Sequence, residues 1–356
     1  MNSSKKPDLR QPAAEAVPLT RREFVGACGV LATAAALPIS ASARQPDANP
    51  VQQPSGGFRF LFMPDFHLRR DLSSAEGMAK ALQSAMALTP KPAFIVTGGD
   101  LCHNLRDQTL GQCEEMADLF VKLWSEHVDV PTYHALGNHD PAGWGKGLES
   151  FPGGKDHPLF GFRLMQQKLK MHALSYSFDH GAWHFVIVHN AKLADPPGPG
   201  SGTVIGEFED DTLAFLRDDL SKPANSGKPT MLFGHYPPIT AIEFINGEAK
   251  HNDAERRWEL GYTRATRNPA ALIEAIGNAN VRAFFSGHIH RLDQIEVKRQ
   301  RLICAGSVSG DQWRGPDVDT EEGFAIIDCR ADDSFDYRYH EYGWNAVPPA
   351  PQTPQR

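Results

Sequence analysis

The chain has 356 residues, 41% of them apolar, and a formal net charge of −7. That length accommodates one large domain or two small ones. The acidic balance argues against a nucleic-acid polymer as partner, because nonspecific binding needs Lys and Arg to neutralise phosphates.

Thr20-Arg21-Arg22-Glu23-Phe24 sets a twin-arginine pair before a mild apolar run, Val25 to Ile39, and Ala41-Ser42-Ala43 offers a small-residue cleavage site. Residues 1–43 are read as a signal peptide, which implies the twin-arginine export machinery as a partner and a periplasmic or secreted destination. An N-terminal anchor is the alternative, but the run is shorter than the ~20 apolar residues of a spanning helix. Cys28 within it has no convincing lipobox, and no other stretch predicts stable membrane insertion. Cleavage removes five basic and three acidic side chains and moves the charge from −7 to −9. It leaves Cys102, Cys113, Cys304 and Cys329, either as buried thiols or in one or two bridges.

Residues 44–57 are rich in Pro, Gln, Ser and Gly and read as a disordered linker; the folded domain is expected over 58–345, with a Pro-rich disordered tail at 346–356. The first strand, from Phe58 to Met63, delivers Asp65 and His67. Ser73 to Leu88 has the apolar spacing of a packed helix. Ala93 to Thr97 is a short apolar strand of the doubly buried kind and stops at Gly98-Gly99-Asp100. A helix over Asp107 to His127 returns the chain to a parallel strand, Pro131 to Leu136, which ends in Gly137-Asn138-His139-Asp140.

The stretch 142–158, with Trp144, reads as a loop that forms one wall of the site. Leu174 to Phe178 and Ala182 to Val188 flank Asp179-His180-Gly181 as a hairpin that begins a second sheet. After an exposed turn at Pro196–Gly200 and a helix over Glu207 to Leu220, a strand delivers Gly234-His235. The stretch 239–268 has no clear periodicity and reads equally as a substrate cap or a surface insertion. A helix over Asn268 to Ile276 precedes Val281 to Ser286, the expected last strand of the metal-bearing sheet, which ends in Gly287-His288-Ile289-His290. Gln294 to Ala305, Gly323 to Cys329 and Ser334 to Tyr342 alternate like antiparallel strands and are expected to complete the second sheet.

Five apolar runs thus stop abruptly at Asp, Asn or His, four of them through Gly, which lets the backbone turn sharply and approach a ligand closely. Oxygen and imidazole donors suit Mn, Fe or Zn rather than a Cys-rich structural metal. Asp-x-His, Gly-Asp, Gly-Asn-His-Asp, Gly-His and Gly-His-x-His, in this order, resemble the calcineurin-like metallophosphoesterase family from Phe58 to about His290. The resemblance implies a mixed α/β fold, a four-layer αββα sandwich of two mixed sheets, and two metal ions. One ion would take Asp65, His67, Asp100 and His290; the other would take Asp100, Asn138, His235 and His288, with Asp100 bridging. It also implies phosphoester hydrolysis by a water acidified between the ions.

His139 is expected to assist the leaving group, with Asp140 orienting its ring. Relative to the purple acid phosphatases, His67 replaces a Gly and His103 an iron-binding Tyr, so the site is similar to the branch containing cyclic-nucleotide phosphodiesterases. A phosphodiester substrate is therefore favoured over a monoester of the acid phosphatase or nucleotidase kind. His103 and Asn104 read as facing the substrate or, somewhat better, as packing behind the site, and the same holds for His189-Asn190 at another strand end. Gly306-Ser307-Val308-Ser309-Gly310 leads to Trp313 and Arg314, which read equally as a stacking ring and a phosphate contact or as a buried Trp and a surface Arg. A noncatalytic metal- or ligand-binding protein on the same fold is the rival reading, against which stands the complete ligand set.

Overall fold

The computed structural model describes residues 57–194, 204–260 and 264–346. The signal stretch, nearly all of the linker and tail, and the Pro196–Gly200 turn lie outside the described residues. In chain order the strands are β1 (Phe58–Met63), β2 (Ile95–Gly98), β3 (Thr132–Ala135), β4 (Tyr176–His180), β5 (Trp183–Ile187), β6 (Ala191–Leu193), β7 (Val204–Gly206) and β8 (Thr230–Phe233). They continue with β9 (Lys250–Asn252), β10 (Arg257–Glu259), β11 (Val281–Ser286), β12 (Leu292–Val297), β13 (Gln300–Ala305), β14 (Gly323–Cys329) and β15 (Phe335–Glu341). The α-helices are α1 (Ser74–Met86), α2 (Leu110–His127), α3 (Arg163–Lys168), α4 (Asp210–Ser221), α5 (Ile242–Ile245) and α6 (Pro269–Ile276).

Strand periodicity builds the layers. In β1, Phe60 and Phe62 point between the sheets while Leu61 and Met63 face the helices, because successive side chains leave a strand on opposite sides. Phe185 and Ile187 in β5 face the same inter-sheet core, and Val186 faces outward. On one outer face α1 and α2 bring Met78, Leu82, Met116 and Phe120 against Leu61 and Ile326. On the other, α4 and α6 bring Leu213, Leu216, Leu272 and Ile276 against Val186 and Phe284. The order helix, sheet, sheet, helix is the expected αββα sandwich. Its middle is aromatic: Phe60 and Phe94 stack with centroids 4.9 Å apart, and each buried Phe contributes on the order of 2 kcal/mol.

Local signals agree with the elements. Thr109 and Gln112 form a capping box that starts α2, and Pro269 stands in the first turn of α6, where a missing N–H costs no helical bond. Arg59 in β1 donates from Nε and Nη2 to Asp328 of β14 at 2.7 and 2.9 Å. The two residues are direct cross-strand partners, so this buried fork pins the register.

Strand partition differs from the expectation. One sheet has the order β15-β14-β1-β2-β3 and the other β12-β13-β11-β8-β5-β4. Gly323–Cys329 and Phe335–Glu341 therefore extend the first sheet rather than completing the second, and β8 and β11 belong to the second sheet, not to the sheet of β1. Alternation sets which face of a strand is apolar but says nothing of its neighbour. Gln294 to Ala305 is a hairpin, β12–β13, turning on Lys298 and Arg299, both at positive φ; neither is the Gly, Asn or Asp that marks such turns.

Candidate metal centre

Three parallel strands of one sheet, β1, β2 and β3, and two of the other, β8 and β11, end at one edge of the sandwich. The five turns that follow bring together Asp65, His67, Asp100, Asn138, His235, His288 and His290. Asp65, His67, Asp100, His288 and His290 all have positive φ, a conformation that costs non-glycine residues about 1–3 kcal/mol each and gathers at functional sites. Two glycines make room. A Cβ on Gly137 would stand 2.2 Å from Asp100 Oδ1, and one on Gly287 would stand 2.1 Å from Asp65 Oδ2.

Each carboxylate is held by one oxygen and presents the other. The His288 N–H donates to Asp65 Oδ2 at 2.9 Å and the His139 N–H to Asp100 Oδ1 at 2.7 Å. Asp65 Oδ1 is buried without a hydrogen bond, 3.5 Å from His290 Nε2 and 3.8 Å from His67 Nε2. Asp100 Oδ2 is 3.5 Å from His67 Nε2 and 3.3 Å from His235 Nε2. His235 Nδ1 donates to the Gly98 carbonyl and His290 Nδ1 to that of Gly310, at 2.9 and 2.6 Å. That fixes both rings with Nε2 toward the carboxylates, the presentation a metal-binding imidazole takes. Asn138 Oδ1 lies 2.8 Å from His235 Nε2, and His288 Nδ1 lies 3.2 Å from the same atom.

Two groups of donors that include a carboxylate result, Asp65–His67–His290 and Asp100–His235–His288, beside a third of imidazoles alone, His67–His103–His139. An orphaned buried carboxylate oxygen and imidazoles crowded nitrogen to nitrogen, His67 to His290 at 3.0 Å, fit cations at both places. Burial would lower His235, yet the Asp100 and Asp65 carboxylates raise it to about 9; His290 is raised by the same opposition. The field that holds a proton there attracts a metal, and metal binding would release the proton.

His139 lines the cleft, its Nε2 4.0 Å from Asp100 Oδ2, and burial lowers it to about 4. Asp140 does not orient it. The Asp140 carboxylate accepts the N–H groups of Leu101, Cys102 and Gly137, and His139 Nδ1 has no hydrogen-bond partner. Asp140 is instead a buried knot between the turns after β2 and β3.

Of its two readings, Trp313 takes the buried one. It is fully buried, and its Nε1 donates to the carbonyls of Phe66 and His67 at 2.8 and 3.1 Å, so it has no face to offer a substrate. Asn104 turns to Asp107 rather than to the cleft. Arg314 pairs with Asp311 and Gln312, which line the cleft where Arg314 does not. His103 stands against the centre, its ring 5.5 Å from that of His139 and 5.7 Å from that of His67, with burial lowering it to about 3.

Several side chains support the donors from behind. Asn190 accepts the N–H groups of His235 and Tyr236 and clamps that turn; Ser307 and Ser309 donate to the Asp65 carbonyl. The composition of Gly306–Gly310 does mark that loop, but as a ligand contact, whereas the structure makes it a buttress. The cleft above the centre, about 180 Å³, is also walled by Arg264, Ile289, Asp311, Gln312 and Asp317. All four described cysteines are buried free thiols.

A sandwich whose two sheets contribute carboxylates and imidazoles to a shared edge is the framework of a binuclear metallohydrolase. The calcineurin-like phosphoesterase family model matches residues 58–292, and the chain belongs to that family. A dimetal phosphatase from Danio rerio is similar in structure at a TM-score of 0.52 and 14% identity, over 80% of this chain and 96% of that one. GAP50, the anchor in the inner membrane complex of Plasmodium, is similar at 0.50 and 14% identity, over 80% and 85%. At such identity these likenesses show the fold. No curated protein matches the sequence.

Proposed function

We propose that the protein hydrolyses phosphate esters at two metal ions held between its sheets, and phosphodiesters in preference to monoesters. The observation that carries this reading is Asp100, whose Oδ2 lies 3.5 Å from His67 and 3.3 Å from His235 and so adjoins both ligand groups. One ion would be held by Asp65, His67, Asp100 and His290, the other by Asp100, Asn138, His235 and His288. The donor set suits Mn, Fe or Zn. Two such ions supply Lewis acidity toward phosphoryl oxygen and a water acidified to near neutrality.

The chain's own groups position the reaction. The N–H groups of His288 and His139 keep the Asp65 and Asp100 carboxylates aimed inward, and Asp140 ties together the turns that carry Asp100 and Asn138. His139, facing the cleft, offers a ring N–H to the phosphoryl or leaving oxygen.

Charge supports the diester. Of the charged groups in the outer wall of the cleft, Arg264 is paired with Glu248, Asp317 with Arg291 and Asp311 with Arg314, partners that do not themselves line it. Such a balanced wall is better matched to a monoanionic phosphodiester than to a dianionic monoester.

The test is the rate ratio for an aryl phosphodiester and its matching monoester in Mn-reconstituted protein, with Asn138→Ala as blank. A ratio above one is expected. A ratio below one would make the protein a monoesterase of the acid phosphatase or nucleotidase kind, and no activity above the blank with Mn, Fe or Zn would favour the noncatalytic binding protein.

A further inference from the structure

The insertion over 239–268, which lacks a readable period, carries α5 and the β9–β10 hairpin. Of the nine large hydrophobic residues exposed among the described residues, five lie here: Ile239, Phe244, Ile245, Trp258 and Leu260. Such concentration marks a binding face, where scattered single residues would need no explanation.

A second cavity opens in this insertion, about 190 Å³ in volume and lined by Pro238, Ile239, Glu243, Phe244, Leu260 and Ala265 among others. It adjoins the metal cleft twice over. Arg264 lines the cleft and its neighbour Ala265 the cavity; Ile242 of α5 packs against Ile289, which stands in the cleft wall between His288 and His290.

Glu243 lines the cavity with a carboxyl that the Arg264 backbone N–H meets only in part. Glu243 is 1% exposed, and its Oε1 makes no hydrogen bond. Buried polar atoms without partners are rare, and each calls for an explanation. Here the explanation is a ligand: an apolar cavity of roughly 150 Å³ takes a benzene-sized ring, and a donor on such a ring would satisfy the carboxyl.

We infer that this cavity is a substrate subsite that takes an apolar, ring-sized group bearing one hydrogen-bond donor, carried on one ester arm of the phosphodiester. The inference rests on the cleft being hydrolytic and adds the class of alcohol esterified there.

Indole, a ring with one N–H, and indene, its counterpart without one, are titrated against the full chain by ligand-detected NMR. Indole is expected to bind about tenfold more tightly; Glu243→Leu abolishes the difference and Ala265→Phe abolishes both. In Mn-loaded protein, a p-nitrophenyl diester with an indolylethyl arm should have at least tenfold higher kcat/KM than one with a methyl arm. Ala265→Phe should remove that advantage and leave the methyl-arm rate within twofold. Equal affinities for the two rings, or an advantage that survives Ala265→Phe, would overturn the subsite. If the ring pattern appears but neither diester is cleaved, the subsite stands and the hydrolytic reading fails. Cleavage of both diesters at equal rates without ring binding would leave the hydrolytic reading standing and remove the subsite.

Discussion

Asp65 and Asp100 show how a carboxylate is prepared for a cation before one arrives. A backbone N–H fixes one oxygen, positive φ sets the turn, and a glycine on the facing turn leaves no Cβ in the way. His139 is different in kind: it faces the cleft with an unpartnered Nδ1 and belongs to neither proposed ligand set. His139→Ala is therefore expected to retain two equivalents of metal by elemental analysis while losing roughly 100-fold or more in turnover on a diester with a poor leaving group. The loss should be smaller on a nitrophenyl substrate, whose leaving oxygen needs little help. Metal lost in step with rate would instead place His139 among the ligands.

At the scale of elements, one cluster away from the centre joins β4, β5 and α4. His184 of β5 lies 2.7 Å by Nδ1 from Asp179 and 2.7 Å by Nε2 from Asp219. Burial would lower His184, but the two carboxylates raise it above 6.5. Asp219, which burial would raise, is held at about 2 by His184, Lys222 and Ser177. The raised histidine contributes stability fully below 6.5 and loses it as pH rises through its folded value. The depressed carboxyl contributes above 3.8 and loses it as pH falls through about 2. The cluster should thus stabilise most between roughly pH 4 and 6.5. The Tm advantage of wild type over His184→Gln is expected to be largest at about pH 5–6 and to shrink above pH 7; an advantage that is constant to pH 9 would show that folding does not shift the imidazole's titration.

Across the whole molecule, the centre takes ligands from both sheets, so folding the sandwich and assembling the site are one event. For the twin-arginine route that Arg21-Arg22 suggests, we propose that folding and metal loading precede export. Arg21→Lys together with Arg22→Lys is expected to hold the protein inside the cell, as fractionation would show. Normal export of that double variant would refute the twin-arginine route.

The turns of the centre are legible in the sequence because their chemistry is local. An apolar strand stopping at Gly-Asp, Gly-Asn or Gly-His announces both a sharp backbone and a donor, and Asp100, Asn138, His235, His288 and His290 stand in such stops, while Asp65 and His67 follow a strand that stops at Pro64. The αββα layering comes through the family resemblance that those turns carry, while alternation and helical spacing mark which segments are strands and helices. Partition of β8, β11, β14 and β15 between sheets is not legible, since a strand's apolar face is the same whichever neighbour it joins. Nor can the chain show that Asp140 and Trp313 point inward as supports, or that Glu243 is buried beside an apolar cavity. Residue type states what a side chain can bond, and only the tertiary structure decides which backbone amides, carbonyls and rings come within reach of it.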